Sequence, residues 1–137
     1  MKYREAFPII YSADVRAALA FYRDALGFGE TFRFPPDGEP EFVALTLDDS
    51  SAVALAAAGG EALHGLPLRP GGHGFELCVY TDDVDAAVGD LRFHGYDVLF
   101  EPVDQPWHER MAYVADPDGN AVMICAPIEQ AGTLPGA

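Results

Sequence analysis

The sequence predicts an α+β fold made of two tandem βαβββ modules, and three observations carry that prediction. First, Asp14-Val15-Arg16-Ala17-Ala18-Leu19 is echoed half a chain later by Asp83-Val84-Asp85-Ala86-Ala87-Val88. Second, each copy follows a short β-rich run and opens a helical pattern that ends near a glycine, Gly27 or Gly95. Third, residues 59–72, Gly-Gly-Glu-Ala-Leu-His-Gly-Leu-Pro-Leu-Arg-Pro-Gly-Gly, have the composition of a linker. Two like modules commonly close one shared cleft, and function is expected there.

In module one, Phe7-Pro8-Ile9-Ile10-Tyr11 is the first strand. Pro8 brings no ladder donor, which confines this stretch to an edge or an exchanged position. Asp14 is a good N-cap for a helix with the apolar stripe Val15, Ala18, Leu19, Tyr22 and Leu26, and Gly27 supplies its stop. Strands follow at Glu30–Phe34, Phe42–Leu47 and Ala52–Ala57, with Pro35-Pro36-Asp37-Gly38 and Asp48-Asp49-Ser50-Ser51 as turns. Module two repeats the order. Phe75–Tyr80 is a strand, and Asp83 caps a helix carrying Val84, Ala87, Val88 and Leu91. Asp97–Glu101, Met111–Ala115 and Ala121–Cys125 are the remaining strands, the last two joined by Asp116-Pro117-Asp118-Gly119-Asn120.

At 137 residues, half of them apolar, the chain suits one domain with a real core: module one at 5–58, linker 59–72, module two at 73–127 and a loose tail at 128–137. No apolar run approaches the roughly 20 residues of a membrane span. The opening Met-Lys-Tyr-Arg-Glu-Ala lacks the apolar stretch of a secretory leader, so a cytoplasmic protein is expected. The formal charge of −14 argues against nucleic-acid binding, which wants a basic face, and favours cationic ligands; solubility alone is the plainer explanation. Cys78 and Cys125 are too few for a disulfide scaffold and are expected as small apolar residues in core or pocket wall.

Three strings, taken together, resemble the vicinal oxygen chelate superfamily of glyoxalases, extradiol dioxygenases and fosfomycin- and bleomycin-resistance proteins. They are Asp14-Val15…Phe21-Tyr22-Arg23-Asp24-Ala25-Leu26-Gly27-Phe28, then Asp82-Asp83-Val84-Asp85, then Asp104-Gln105-Pro106-Trp107-His108-Glu109-Arg110…Asp116-Pro117-Asp118-Gly119-Asn120. The resemblance covers residues 5 to about 127. It implies that each module curls a four-stranded sheet into half of a cup-shaped binding site.

Catalytic members of that superfamily hold a divalent metal at positions that correspond to Phe7 and Glu76, seven residues before the capping aspartates, and Met123, three after Asn120. The fourth ligand would come from near Ala54 or Leu55. One oxygen donor among four positions does not hold a catalytic ion, so no metal and no other cofactor is expected. His64, His73 and His94 are expected to be solvated or capping residues. His108, where the family usually has glycine, is a candidate for the cup mouth, and a noncanonical site from Glu76 and His108 stays open.

Strand alternation puts Phe7, Ile9 and Tyr11 on one face, and Glu76, Cys78 and Tyr80 on the matching face of module two. The resemblance assigns both faces to the cup, with Ile10, Leu77 and Val79 packed under the helices. Phe32 and Phe34 share another strand face. Trp107, the one tryptophan, offers a flat surface for a planar or cationic ligand, or else seals the strand base. Glu76 is expected to meet a ligand amine, or to pair with Arg110 or Tyr80. Arg110 and Asp116 are expected to fix the last loop. The candidate ligand-binding residues are therefore Phe7, Ile9, Tyr11, Phe32, Phe34, Glu76, Cys78, Tyr80, Trp107, His108 and Met123.

Pro8, the Gln105-Pro106-Trp107 loop and the acidic surface make the bleomycin-resistance branch the nearest match. That branch implies a homodimer that exchanges its first strand and sequesters a partly aromatic, cationic drug without catalysis, with no membrane or nucleic-acid partner. The departures are His108 for glycine, Ala112 where an aromatic is common, and an extra loop residue. The alternative is an enzyme of the lyase, dioxygenase or thiol-transferase type, metal-dependent or using Glu76 or Tyr80 as acid–base. A third reading is a regulatory module that binds through its acidic exterior.

Overall fold

Two four-stranded sheets with the same strand plan make up the α+β fold of this chain. The structure is a computed structural model that describes residues 2, 7–58, 70–72 and 76–128. His64, His73, Phe75, residues 59–69 of the expected linker and residues 129–137 of the expected tail lie outside the described residues. The chain divides into two compact units, Met1–Gly72 and His73–Ala137.

In the first unit, β1 (Ile9–Ser12), β2 (Gly29–Phe34), β3 (Phe42–Thr46) and β4 (Ala52–Ala57) lie in the order β1-β4-β3-β2. In the second, β5 (Leu77–Tyr80), β6 (Val98–Asp104), β7 (Glu109–Ala115) and β8 (Ala121–Pro127) lie in the order β5-β8-β7-β6. The first strand of each unit runs parallel to the last, and the other pairings are antiparallel. A parallel pair needs a crossover, and the helix after each first strand supplies its beginning. Pro8 sits just outside edge strand β1, where a missing N–H leaves no gap in the ladder; its carbonyl accepts from the Ala54 N–H at 3.0 Å.

The two helices start by the same device. Asp14 accepts from the Ala17 N–H at 3.1 Å and Asp83 from the Ala86 N–H at 3.0 Å, each satisfying one orphan donor of the first turn. Helix α1 (Val15–Leu19) runs on into a π-helical stretch, Ala20–Ala25, whereas α2 (Val84–Phe93) stays α-helical. The wider turn, in which the Leu26 N–H reaches back to the Phe21 carbonyl, accompanies full burial of two neighbouring aromatics, Phe21 and Tyr22. The expected stripe is corrected accordingly: Phe21 joins it, and Leu26 is only half-buried. Gly27 and Gly95 end the helices at φ of 91° and 90°, backbone geometry that residues with a Cβ rarely adopt.

Several strand limits move from the expected ones. β1 and β5 begin at Ile9 and Leu77, where pairing with the last strand of each unit begins. β6 and β7 extend to Asp104 and Glu109, because their ladder continues up to the turn that joins them. The core of each unit lies between sheet and helix. Val15, Leu19, Phe21, Tyr22, Val43, Leu45, Val53 and Leu55 fill the first, and Val84, Val88, Leu91, Val114, Val122 and Ile124 the second. Ile10 and Val79 are buried on the helix side as expected, and Leu77 is half-buried. Among the described residues no helix is long and apolar enough to cross a membrane.

Candidate ligand-binding site

The face of the second sheet turned away from α2 carries the candidates Cys78, Tyr80 and Met123. The ladder register places Cys78 and Tyr80 of β5, Met123 and Cys125 of β8, and Glu109, Met111 and Tyr113 of β7 on that one face. Glu76 precedes β5 on the same alternation and is exposed. It pairs with neither expected partner, because Tyr80 and Arg110 are engaged elsewhere. The Tyr113 phenol faces it instead: burial first, then its hydrogen bond to the Glu76 carboxylate, push that phenol up to about 12.

Glu109 organises the centre of this face. It accepts the Tyr80 hydroxyl at 2.6 Å and the Trp107 indole N–H at 3.1 Å. A carboxylate fed by two donors holds both rings in fixed orientations, although Tyr80 is 61% and Trp107 58% exposed. The Tyr80 phenol is raised well above the ordinary tyrosine range, mainly by this hydrogen bond and then by the neighbouring Cys125. Trp107 therefore does not seal the strand base; its ring stands open beside a negative charge.

The loop that carries Trp107 is a three-residue hairpin turn. The His108 N–H donates to the Gln105 carbonyl at 3.0 Å, and the Gln105 N–H to the Glu109 carbonyl at 2.8 Å. Pro106 presets the second turn position. His108 then takes φ of 66°, the left-handed region that favours glycine, and its side chain is exposed at the turn. Arg110 faces the other way. Its guanidinium grips Asp85 of α2 at 2.7 and 2.9 Å and Asp104 of β6 at 2.9 Å, tying helix to hairpin. Asp116, buried, accepts from the N–H groups of Asp118 and Asn120 and from the Asn120 side chain, shaping the final turn.

Cys78 departs from its expected burial. Lying on edge strand β5 with its side chain on the open face, it is exposed, while Cys125 on β8 is fully buried. Their Sγ atoms are 3.4 Å apart, and the Cys78 Sγ stands 3.8 Å from the Met123 Sδ. Burial, with Cys78 alongside, pushes the Cys125 thiol up to about 12.

In the first sheet the open face carries Ile9 and Tyr11 of β1, Phe32 and Phe34 of β2 and Phe42 of β3, around Ala44, Ala54 and Ala56. Phe7, Ile9, Phe32 and Phe34 are exposed and Tyr11 is half-buried. The result is an aromatic rim around a floor of methyl groups. Sequence reasoning missed Glu109, Tyr113 and Phe42. The Trp107-x-Glu109 spacing at a strand start was the one local signal for Glu109.

The positions that the resemblance assigns to a metal bring a phenyl ring, a carboxylate, a thioether and aliphatic groups. That donor set does not fit a hard divalent ion. Among the described residues no three His, Cys, Asp or Glu side chains form a metal-holding group.

With this geometry established, known proteins supply the context. The profile of the Glyoxalase/Bleomycin resistance protein/Dioxygenase superfamily matches residues 6–124. CFP32 of Mycobacterium tuberculosis, whose glyoxylase name is provisional, is 29% identical over 124 residues. The anthracycline biosynthesis protein DauV of Streptomyces sp. strain C5 is 31% identical over 119 residues. These alignments take in 88% and 82% of this chain but only 46% and 43% of those relatives, so the chain spans less than half their length. A superfamily member from Sphaerobacter thermophilus superposes with a TM-score of 0.73 at 27% identity, over 90% of this chain and 98% of that one.

Proposed function

The chain belongs to the Glyoxalase/Bleomycin resistance protein/Dioxygenase superfamily, and from that premise we propose that it is a non-catalytic binding protein that sequesters a partly aromatic, cationic ligand of the bleomycin class. The observation that carries this reading is the convergence of Tyr80 and Trp107 on Glu109. A planar ring stacks on the indole while a ligand cation meets the carboxylate beside it. Glu76 adds a second exposed carboxylate on the same face. The charge of −14 draws cations toward the protein and raises their encounter rate.

The proposed contact residues of the second unit are Glu76, Cys78, Tyr80, Trp107, His108 and Met123; in the first unit, taken by itself, Phe7, Ile9, Tyr11, Phe32 and Phe34 are the proposed contact residues. The apolar rim of the first sheet is by itself a surface suited to hydrocarbon and aromatic groups. The name of the DauV relative, which ties that protein to anthracycline biosynthesis, agrees with an aromatic ligand class. Sequestration needs no general base and no nucleophile. Tyr80, whose proton is held by Glu109, is a recognition group in this reading, not an acid–base catalyst. A homodimer belongs to the same proposal, supported by Pro8 at the end of an edge strand, which suits exchange between copies.

Trp107 fluorescence during titration with apo bleomycin and its copper complex tests the proposal, with calorimetry on Trp107→Ala. Saturation near one drug per chain, weakened about tenfold or more in the variant, is expected, because one stacked aromatic contributes on the order of 1–2 kcal/mol. A flat fluorescence titration with silent calorimetry rejects the bleomycin class.

A further inference from the structure

We infer that Cys78, Met123 and Cys125 form a thiophilic metal site on the open face of the second sheet, taking a soft monovalent ion of the Cu(I) type. The chain has two cysteines and three methionines. Four of these five, Cys78, Met111, Met123 and Cys125, stand on one face of one sheet; the fifth, Met1, lies outside the described residues. Parallel pairing of β5 with β8 creates the cluster, setting Cys78 opposite Met123 and Tyr80 opposite Cys125.

The spacing suits a shared ion. Three sulfurs around one metal at the thiolate bond length of roughly 2.3 Å would stand about 4 Å apart. From Cys78, the Sγ–Sγ distance of 3.4 Å to Cys125 and the Sγ–Sδ distance of 3.8 Å to Met123 are both close to that value. Met111, the register partner of Cys125 on β7, stands beside the cluster. Thiolate and thioether donors select Cu(I) over hard cations, which want the oxygen donors that this trio lacks.

Packing alone does not account for Cys78. A cysteine placed for core volume is buried, and this one is exposed, so an ion arriving from solvent meets it first. Cys125 lies fully buried behind it and Met123 is half-buried beside it, giving one open thiol above two sheltered donors. Binding forms metal–sulfur bonds and releases thiol protons to solvent, with no change of oxidation state. The inference does not rest on the drug reading, although Cys78 and Met123 belong to both sites, and it would survive a flat drug titration.

The test is an anaerobic titration of fully reduced protein, its two thiols first counted with a thiol-reactive dye, against Cu(I) buffered by bicinchoninate. One Cu(I) withdrawn per chain, with a near-ultraviolet thiolate-to-copper band, is expected. Cys78→Ser should weaken capture at least a hundredfold and Met123→Leu about tenfold, each checked for folding by circular dichroism. Cys78 is exposed, so its variant keeps the test valid even where Cys125→Ala disturbs the core. Failure of reduced wild-type protein to withdraw Cu(I), or capture that survives Cys78→Ser unchanged, overturns the inference.

Discussion

The Tyr80 hydroxyl donates to Glu109 across 2.6 Å, and in doing so joins β5 to β7 over the intervening strand β8. Glu109→Gln retains an acceptor and removes the charge. The Tyr80 phenol should then ionise nearer the ordinary tyrosine range, because the charged hydrogen bond is the largest cause of its elevation. Absorbance at 295 nm against pH would show it. A cationic ligand should bind about 10- to 100-fold more weakly, the usual loss for a hydrogen bond to a charged group, and calorimetry measures that loss. Unchanged affinity would remove Glu109 from the site.

Alkaline pH should destabilise the fold. Tyr113 and Cys125 are held up to about 12 from ordinary values of 10.0 and 9.0, and Tyr80 is raised as well. A raised folded value means that the unfolded chain gives up these protons first. The stabilisation is therefore complete below about pH 9 and lost as pH climbs toward 12. Urea midpoints measured from pH 8 to 11 should fall steadily, and Cys125→Ala should flatten the lower part of that fall.

His108→Gly should stabilise the protein by up to about 1 kcal/mol, since glycine adopts the left-handed conformation without a Cβ penalty while gaining some unfolded-state entropy. The same variant separates backbone from side chain. Higher thermal stability with intact ligand binding would assign His108 to the turn; higher stability with weakened binding would keep its imidazole in the site.

Arg110→Met should lower the melting temperature by about 2–3 °C at low salt. Two carboxylates, on α2 and β6, lose their shared partner. All three groups are partly exposed, so the effect should shrink in 1 M salt, where the screening length is about 3 Å. An unchanged difference between low and high salt would mean that the arginine acts through packing of its stem.

The elements governed by local rules were legible in the sequence. Asp14 and Asp83 each satisfy a backbone donor three residues on, and Gly27 and Gly95 occupy left-handed positions; both requirements follow from neighbours in the chain. The alternation that exposes Ile9 and buries Ile10 was legible for the same reason. What depended on strand pairing was not. Glu109 gains its role from Tyr80, 29 residues away, and the Cys78–Cys125 approach spans 47. The π-helical stretch was equally hidden, because Phe21 and Tyr22 are both buried and a regular periodicity places only one of them on the stripe. Glu76 was legible as an unusual carboxylate but not as the partner of Tyr113.

The shared strand plan aligns the two sheets position by position. Ile9 opposite Ala54 and Tyr11 opposite Ala56 in the first sheet correspond, rung for rung, to Cys78 opposite Met123 and Tyr80 opposite Cys125 in the second. Tyrosine stands at the matching rung of both sheets, while hydrocarbon in the first takes the place of sulfur in the second. The first half is thus a built-in reference for the second. Grafting Cys, Met and Cys onto positions 9, 54 and 56 asks whether metal affinity resides in the scaffold's spacing alone.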